Sequence, residues 1–109
     1  MSKDFKDLRQ QIRHRPSEKQ QDIVPGELMS SESHRKVSYK VKDFSVNGLG
    51  ITTTDKLLPD LDFVLLSGEQ EIALTIVWGM ACNSDGLYRY GLRVKDDFNM
   101  ESFCRKFYD

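Results

Sequence analysis

From Val37 onward the chain alternates. In "KVSYKVK" the apolar Val37, Tyr39 and Val41 are separated by Ser38 and Lys40, the two-residue period of a strand with one face buried. "LGITTT" resumes the alternation with Leu49 and Ile51 on one side. "DFVLL" and "EIALTIVW" flank "SGEQ", a good hairpin connection, and the second of them aligns Ile72, Leu74, Ile76 and Trp78 on one face. "NSDG" at 83–86 turns the chain again. "LYRYGLRV" then sets Tyr88, Tyr90, Leu92 and Val94 against Arg89 and Arg93. Short strands separated by turn signals indicate an antiparallel barrel or sandwich.

The period changes at the carboxy terminus. Met100, Phe103, Cys104 and Phe107 fall at i, i+3, i+4 and i+7, which predicts a helix over about 98–108. Asn99 is its candidate N-cap, with Phe98 stapling onto Phe103. So short a helix has to pack on the sheet to be stable. At the other end the pattern is weak. Phe5, Leu8 and Ile12 suggest two or three helical turns, which Pro16 stops near Arg15, and "VPGE" at 24–27 reads as a turn. The chain thus divides into an arm, 1–20, flexible or partly helical, and a β body with its helix, 21–109.

Charge sharpens that division. Residues 1–20 hold six Lys/Arg against three Asp/Glu, whereas the remainder holds ten against fourteen. A basic arm is attached to an acidic body, and the net charge of −1 argues against a non-specific DNA or RNA binder. The 109 residues suit one domain. Cys82 and Cys104 are isolated thiols, with no zinc spacing and no disulfide framework. "MSKDFKDLRQQ" is no signal peptide and no apolar run is long enough to span a membrane, so a cytoplasmic protein without membrane insertion is expected. Nothing supplies a nucleophile with an adjacent base, so catalytic residues, a metal and a cofactor are not expected.

Two patterns carry candidate chemistry. "KDFSVNGLGI" sets Asp43, Ser45 and Gly48 at spacing D-x-S-x-x-G near a strand end. Read as turn chemistry, Asp and Ser satisfy backbone groups and Gly supplies positive φ. "RQQIR" places Arg9 and Arg13 four apart, which by itself is a solvated pair. Together they complement each other: guanidinium forks bind phosphates and the O6/N7 edge of guanine, a carboxylate accepts from guanine N1 and N2, and glycine admits a ligand to the backbone.

R-x-x-x-R followed by D-x-S-x-x-G, with the later "IVW" and "YGLRV" strands, resembles the PilZ domain family of bacterial cyclic di-GMP receptors, over roughly residues 9–107. The resemblance implies a six-stranded antiparallel β-barrel with a carboxy-terminal helix. It implies that Arg9 and Arg13 grip guanine and phosphate groups, that Asp43 and Ser45 contact a guanine edge, and that Gly48 lets the base approach. Where many members carry a second arginine before the first motif arginine, this chain has Leu8, which favours fewer contacts; Arg15 stands by as a substitute if the arm shifts. His14 beside the arginines is a solvated histidine or a phosphate contact. Trp78 is barrel packing or a platform for a base, and Arg89 and Arg93 are solvated or face a partner. The implied protein is a signalling adaptor of motility or pilus regulation, whose mobile arm orders over the barrel on binding cyclic di-GMP and changes the surface seen by a downstream protein. The alternative is a PilZ-like protein-interaction module without a nucleotide.

Overall fold

A computed structural model describes residues 12–20, 22–58, 62–82 and 86–108. The alternating segments form one antiparallel sheet: β1 (Glu27–Ser30), β2 (Lys36–Val37), β3 (Tyr39–Phe44), β4 (Gly48–Thr53), β5 (Asp62–Ser67), β6 (Gln70–Ala81) and β7 (Tyr88–Val94), in the order β2-β1-β5-β6-β7-β4-β3. The helix α1 spans Met100–Tyr108. Among the described residues seven strands are present where six were expected. Only Ser38 separates β2 from β3, so one alternating run is divided between the two edges of the sheet. The sheet therefore curls until its edges are neighbouring pieces of chain, giving a barrel-like form.

Most of the positions that the alternation turns inward are buried. Val37, Tyr39, Val41, Leu49, Ile51, Leu74 and Leu92 line a core closed by Met100, Phe103 and Cys104 of α1. Ser67 pairs with Gln70 across a two-residue turn in which Gly68 has φ +62, the left-handed conformation that only glycine adopts without strain. Asn99 caps α1 by accepting from the Ser102 N–H at 3.0 Å, and the Phe98 and Phe103 rings pack edge-on at 5.5 Å. The Met100 N–H donates to the Val46 carbonyl at 2.8 Å, which ties the helix start to the β3–β4 turn.

Two β-bulges depart from the simple period. On β3, Val41 pairs with Ile51 but Asp43 pairs with Gly50, leaving Lys42 as the extra residue. On β6, Ile76 pairs with Leu92 but Trp78 pairs with Gly91, leaving Val77 over. Each bulge reverses which face the following residues show. Asp43 consequently lies opposite the outward Gly50 instead of following Val41 into the core. Trp78 departs from the Ile72, Leu74, Ile76 face and lies on the outside, 44% exposed.

Candidate nucleotide-binding face

The arm reaches the sheet at His14. Its N–H donates to the Phe44 carbonyl and its carbonyl accepts from the Phe44 N–H, both at 2.8 Å, so a bridge of strand geometry extends the sheet beyond β3. Ile12–Arg15 are accordingly extended rather than helical, and the first regular turn is a short 3-10 segment at Glu18–Gln20. The described part of the arm therefore lies against the sheet edge through His14. Arg9, with residues 1–11 of the arm and most of "NSDG", lies outside the described residues.

Docking His14 puts Arg13 over the motif. Its Nη1 donates to Ser45 Oγ at 3.0 Å and its Nη2 is ion-paired with Asp43 Oδ1. The β3 bulge makes this geometry possible, because it turns Asp43 outward onto the face that Gly50 leaves bare. Ser45 begins the β3–β4 turn, its N–H donating to the Gly48 carbonyl at 2.9 Å, and is fully buried. Asp43, Ser45 and Gly48 therefore converge on one guanidinium from 30 or more residues away.

The glycines of this face serve close approach, not turning: neither Gly48 nor Gly50 has positive φ. A Cβ on Gly48 would stand 2.9 Å from the Leu92 carbonyl oxygen and 3.5 Å from Arg13 Nη1. A Cβ on Gly50 would run into the Asp43 carboxylate. Gly50 pairs with Gly91, whose outer side is covered by the Trp78 ring. The outer face thus carries one transverse row, Asp43–Gly50–Gly91–Trp78, whose two central glycines are buried beneath the Asp43 carboxylate and the Trp78 ring.

Beside this row lies a cleft of about 450 Å³ lined by Arg13, Asn47, Gly48, Val77 and Arg93 among others. Two guanidinia of different origin, one from the arm and one from β7, therefore line the same cleft as Gly48. Arg93 is the main contributor that alternation alone assigns to solvent. Its signal is register: Arg93 pairs with Gly48, which follows only once β7 is known to lie against β4.

The other residues singled out in the sequence are placed elsewhere. His14 turns toward the helix, with its Nε2 3.3 Å from Glu101 Oε1 and its ring stacked on Phe44 at 5.5 Å. Arg15 lines a separate basin between arm and helix, shared with Arg105 and Tyr108. Trp78 occupies the far end of the transverse row, with the Arg89 guanidinium 5.9 Å from its ring centroid. Among the described residues no cluster of three His, Cys, Asp or Glu side chains could hold a metal ion, and no helix is long and apolar enough to cross a membrane. No family model, curated protein or solved structure matches the chain.

Proposed function

We propose that the chain is a PilZ-type cyclic di-GMP receptor, in which β2 and β3 act as one bent strand of a six-stranded barrel. The observation that carries this reading is the convergence of Arg13, Asp43, Ser45 and Gly48 at the edge of a cleft that also holds Arg93. Phosphates demand guanidinium forks, and a guanine edge rich in N–H groups demands a carboxylate. Both are present, and Gly48 belongs to the lining of the same cleft. A tether with no ligand-related role has little reason to span a cleft lined by a second arginine.

Binding then works by exchange. A ligand phosphate takes over the Arg13 fork, and the released Asp43 carboxylate accepts from guanine N1 and N2. Exchange is possible because the Arg13 side chain is 42% exposed, although that of Asp43 is only 17% exposed. Arg13 adjoins His14, which is held to Phe44 and faces Glu101 at the start of α1. Movement of Arg13 is thereby conveyed to the helix, which alters the surface offered to a downstream cytoplasmic protein of the motility or pilus machinery. Arg9 is assigned to the same ligand by the R-x-x-x-R motif alone.

Isothermal titration with cyclic di-GMP tests the reading. The wild type gives a saturable heat, and Arg13→Ala and Asp43→Ala each weaken binding by about 10- to 100-fold, as loss of one charged hydrogen-bonding group entails. Silence from the wild type at high ligand concentration would leave the Arg13–Asp43–Ser45 cluster as a structural pin. That outcome favours the second reading, a protein-interaction module, for which the exposed Val77, Trp78 and Met80 are the supporting observation.

A further inference from the structure

β6 is twice as long as β5, with 12 residues against 6. Among the described residues its ladder to β5 reaches as far as Asp62 opposite Thr75, while its ladder to β7 continues to Ala81 opposite Tyr88. The end of β6, Trp78–Ala81, is thus paired on one side only among the described strands. In an antiparallel strand, alternate residues direct their N–H and C=O groups away from a given neighbour, so this end presents hydrogen-bonding backbone at an edge. Edges of this kind are usually blunted by charge, proline or brevity. Here the residues around the edge are apolar: Val77, Trp78 and Met80 are 52%, 44% and 57% exposed.

The edge borders a formed cleft of about 480 Å³ whose opposite lip is Lys56 and Leu57. That lip is fixed, because the Leu57 N–H donates to the Tyr90 hydroxyl at 2.8 Å. Small Gly79 and Ala81 alternate with large Trp78 and Met80, and the cleft side is further walled by Tyr88 and Tyr90. Among the described residues the cleft lining includes Lys56 and no acid, while the neighbouring Asp55 lines an adjoining cavity that Lys56 also borders. Arg89 pairs with Met80 and lies over Trp78, and its buried Nε–H has no hydrogen-bond partner among the described residues.

We infer that Trp78–Ala81 is a strand-addition site for a partner protein, which docks an extended segment alternating apolar and acidic residues. The segment's backbone completes the ladder on the open side of β6. Its apolar side chains enter the cleft against Leu57 and Tyr90, and its carboxylates meet Lys56 and Arg89. A second copy of this chain is a poorer occupant. Edge-to-edge pairing about a two-fold axis would bring Arg89 and Lys56 toward their own copies, and like charges across an interface are unfavourable. The inference does not rest on nucleotide binding, since it uses neither Arg13 nor Asp43.

Trp78 is the sole tryptophan, so its emission reports occupancy directly. The probe is a short synthetic peptide alternating valine and glutamate, compared with one alternating valine and lysine and with an N-methylated valine–glutamate version that cannot pair as a strand. The valine–glutamate peptide is expected to shift Trp78 emission to shorter wavelength in a saturable way and to slow amide exchange at Trp78–Ala81. The lysine peptide should bind at least about tenfold more weakly, and N-methylation should abolish the protection. Three results would overturn the proposal: equal binding of the glutamate and lysine peptides, an emission shift without amide protection, or protection that appears on raising protein concentration alone. The last would assign the edge to a second copy.

Discussion

The two bulges of the sheet do the same thing to the backbone and opposite things to the surface. At Lys42 the slip delivers an acid to the outer face, where Arg13 of the same chain meets it at once. At Val77 the slip delivers a tryptophan, which covers a glycine but stays nearly half exposed. The first region is internally satisfied and is tied through His14 and Phe44 to the helix. Among the described residues the second is tied to little beyond its own strand pair. A ligand at the first must compete with an existing partner, whereas a ligand at the second adds to an open edge. On the two proposals, one region exchanges partners and the other adds one.

The largest effect should come from cutting the first region's tie to the core. Phe44 is 3% exposed and stacks on both His14 and Tyr108, at 5.5 and 5.9 Å. Phe44→Ala should cost about 3–5 kcal/mol of stability, the range for emptying a buried aromatic site. Chemical denaturation measures it, and a loss as small as that of a surface substitution would show that arm, sheet and helix are not joined through this ring.

High pH attacks the same cluster. Burial pushes the Cys104 thiol up to about 12, and burial likewise raises the Tyr39 and Tyr108 hydroxyls, with Tyr108 also raising Tyr39 and Cys104 raising Tyr108. Both tyrosines donate to carbonyls, Tyr39 to Gly26 at 2.8 Å and Tyr108 to Ile23 at 2.6 Å, so ionisation would also remove a donor. The folded state holds these protons more tightly than the unfolded chain. Stability is therefore unaffected below about pH 9, and falls as pH rises from there toward the folded-state values, by at most about 1.4 kcal/mol per pH unit for each group. Denaturation midpoints measured from about pH 8 to 11 should decline, and Cys104→Ala should flatten the early part of the decline. A flat profile would mean that these groups are not enclosed beneath α1.

Most of this core is legible in the alternation, because inward positions such as Val41, Leu74 and Leu92 recur every second residue. The cap at Asn99 and the Phe98–Phe103 staple are legible for a similar reason: they are local. Neither bulge is. A one-residue slip depends on the partner strand, so Trp78 reads as core with Ile76 and its outward turn goes unseen. The convergence of Asp43, Ser45 and Gly48 follows from their spacing only after resemblance is invoked, and the contribution of Arg93 requires knowing that β7 lies beside β4. His14 reads as a solvated neighbour of the arginines because its partners, Phe44 and Glu101, are 30 and 87 positions away.

A smaller effect separates the two central glycines. Gly50→Val drives a side chain into the Asp43 carboxylate and parts it from Arg13, whereas Gly91→Val pushes only against the Trp78 ring. The first should cost about 1–3 kcal/mol, the range for overfilling a packed site, and on the proposed reading it should reduce cyclic di-GMP affinity as is expected of Asp43→Ala. The second should leave that affinity intact and move Trp78 emission to longer wavelength as the ring swings into water. If both variants lost affinity equally, the ligand would span the whole row and the separation of the two regions would fail.

The smallest effect on stability belongs to Trp78 itself. Its ring is partly exposed and its main contacts are the bare Gly91 backbone and the Arg89 guanidinium, a cation–π contact of about 0.5–1 kcal/mol at an exposed site. Trp78→Ala should therefore lower stability by about 1 kcal/mol or less, several-fold below Phe44→Ala although the tryptophan is the larger residue. The same variant should lose most of its affinity for the valine–glutamate peptide, because the ring forms the outer wall of the open edge. Thermal unfolding and peptide anisotropy, measured on one preparation, check both halves. A large stability loss would place Trp78 with the core after all, and the contrast between a closed and an open bulge would reduce to a difference in side-chain size.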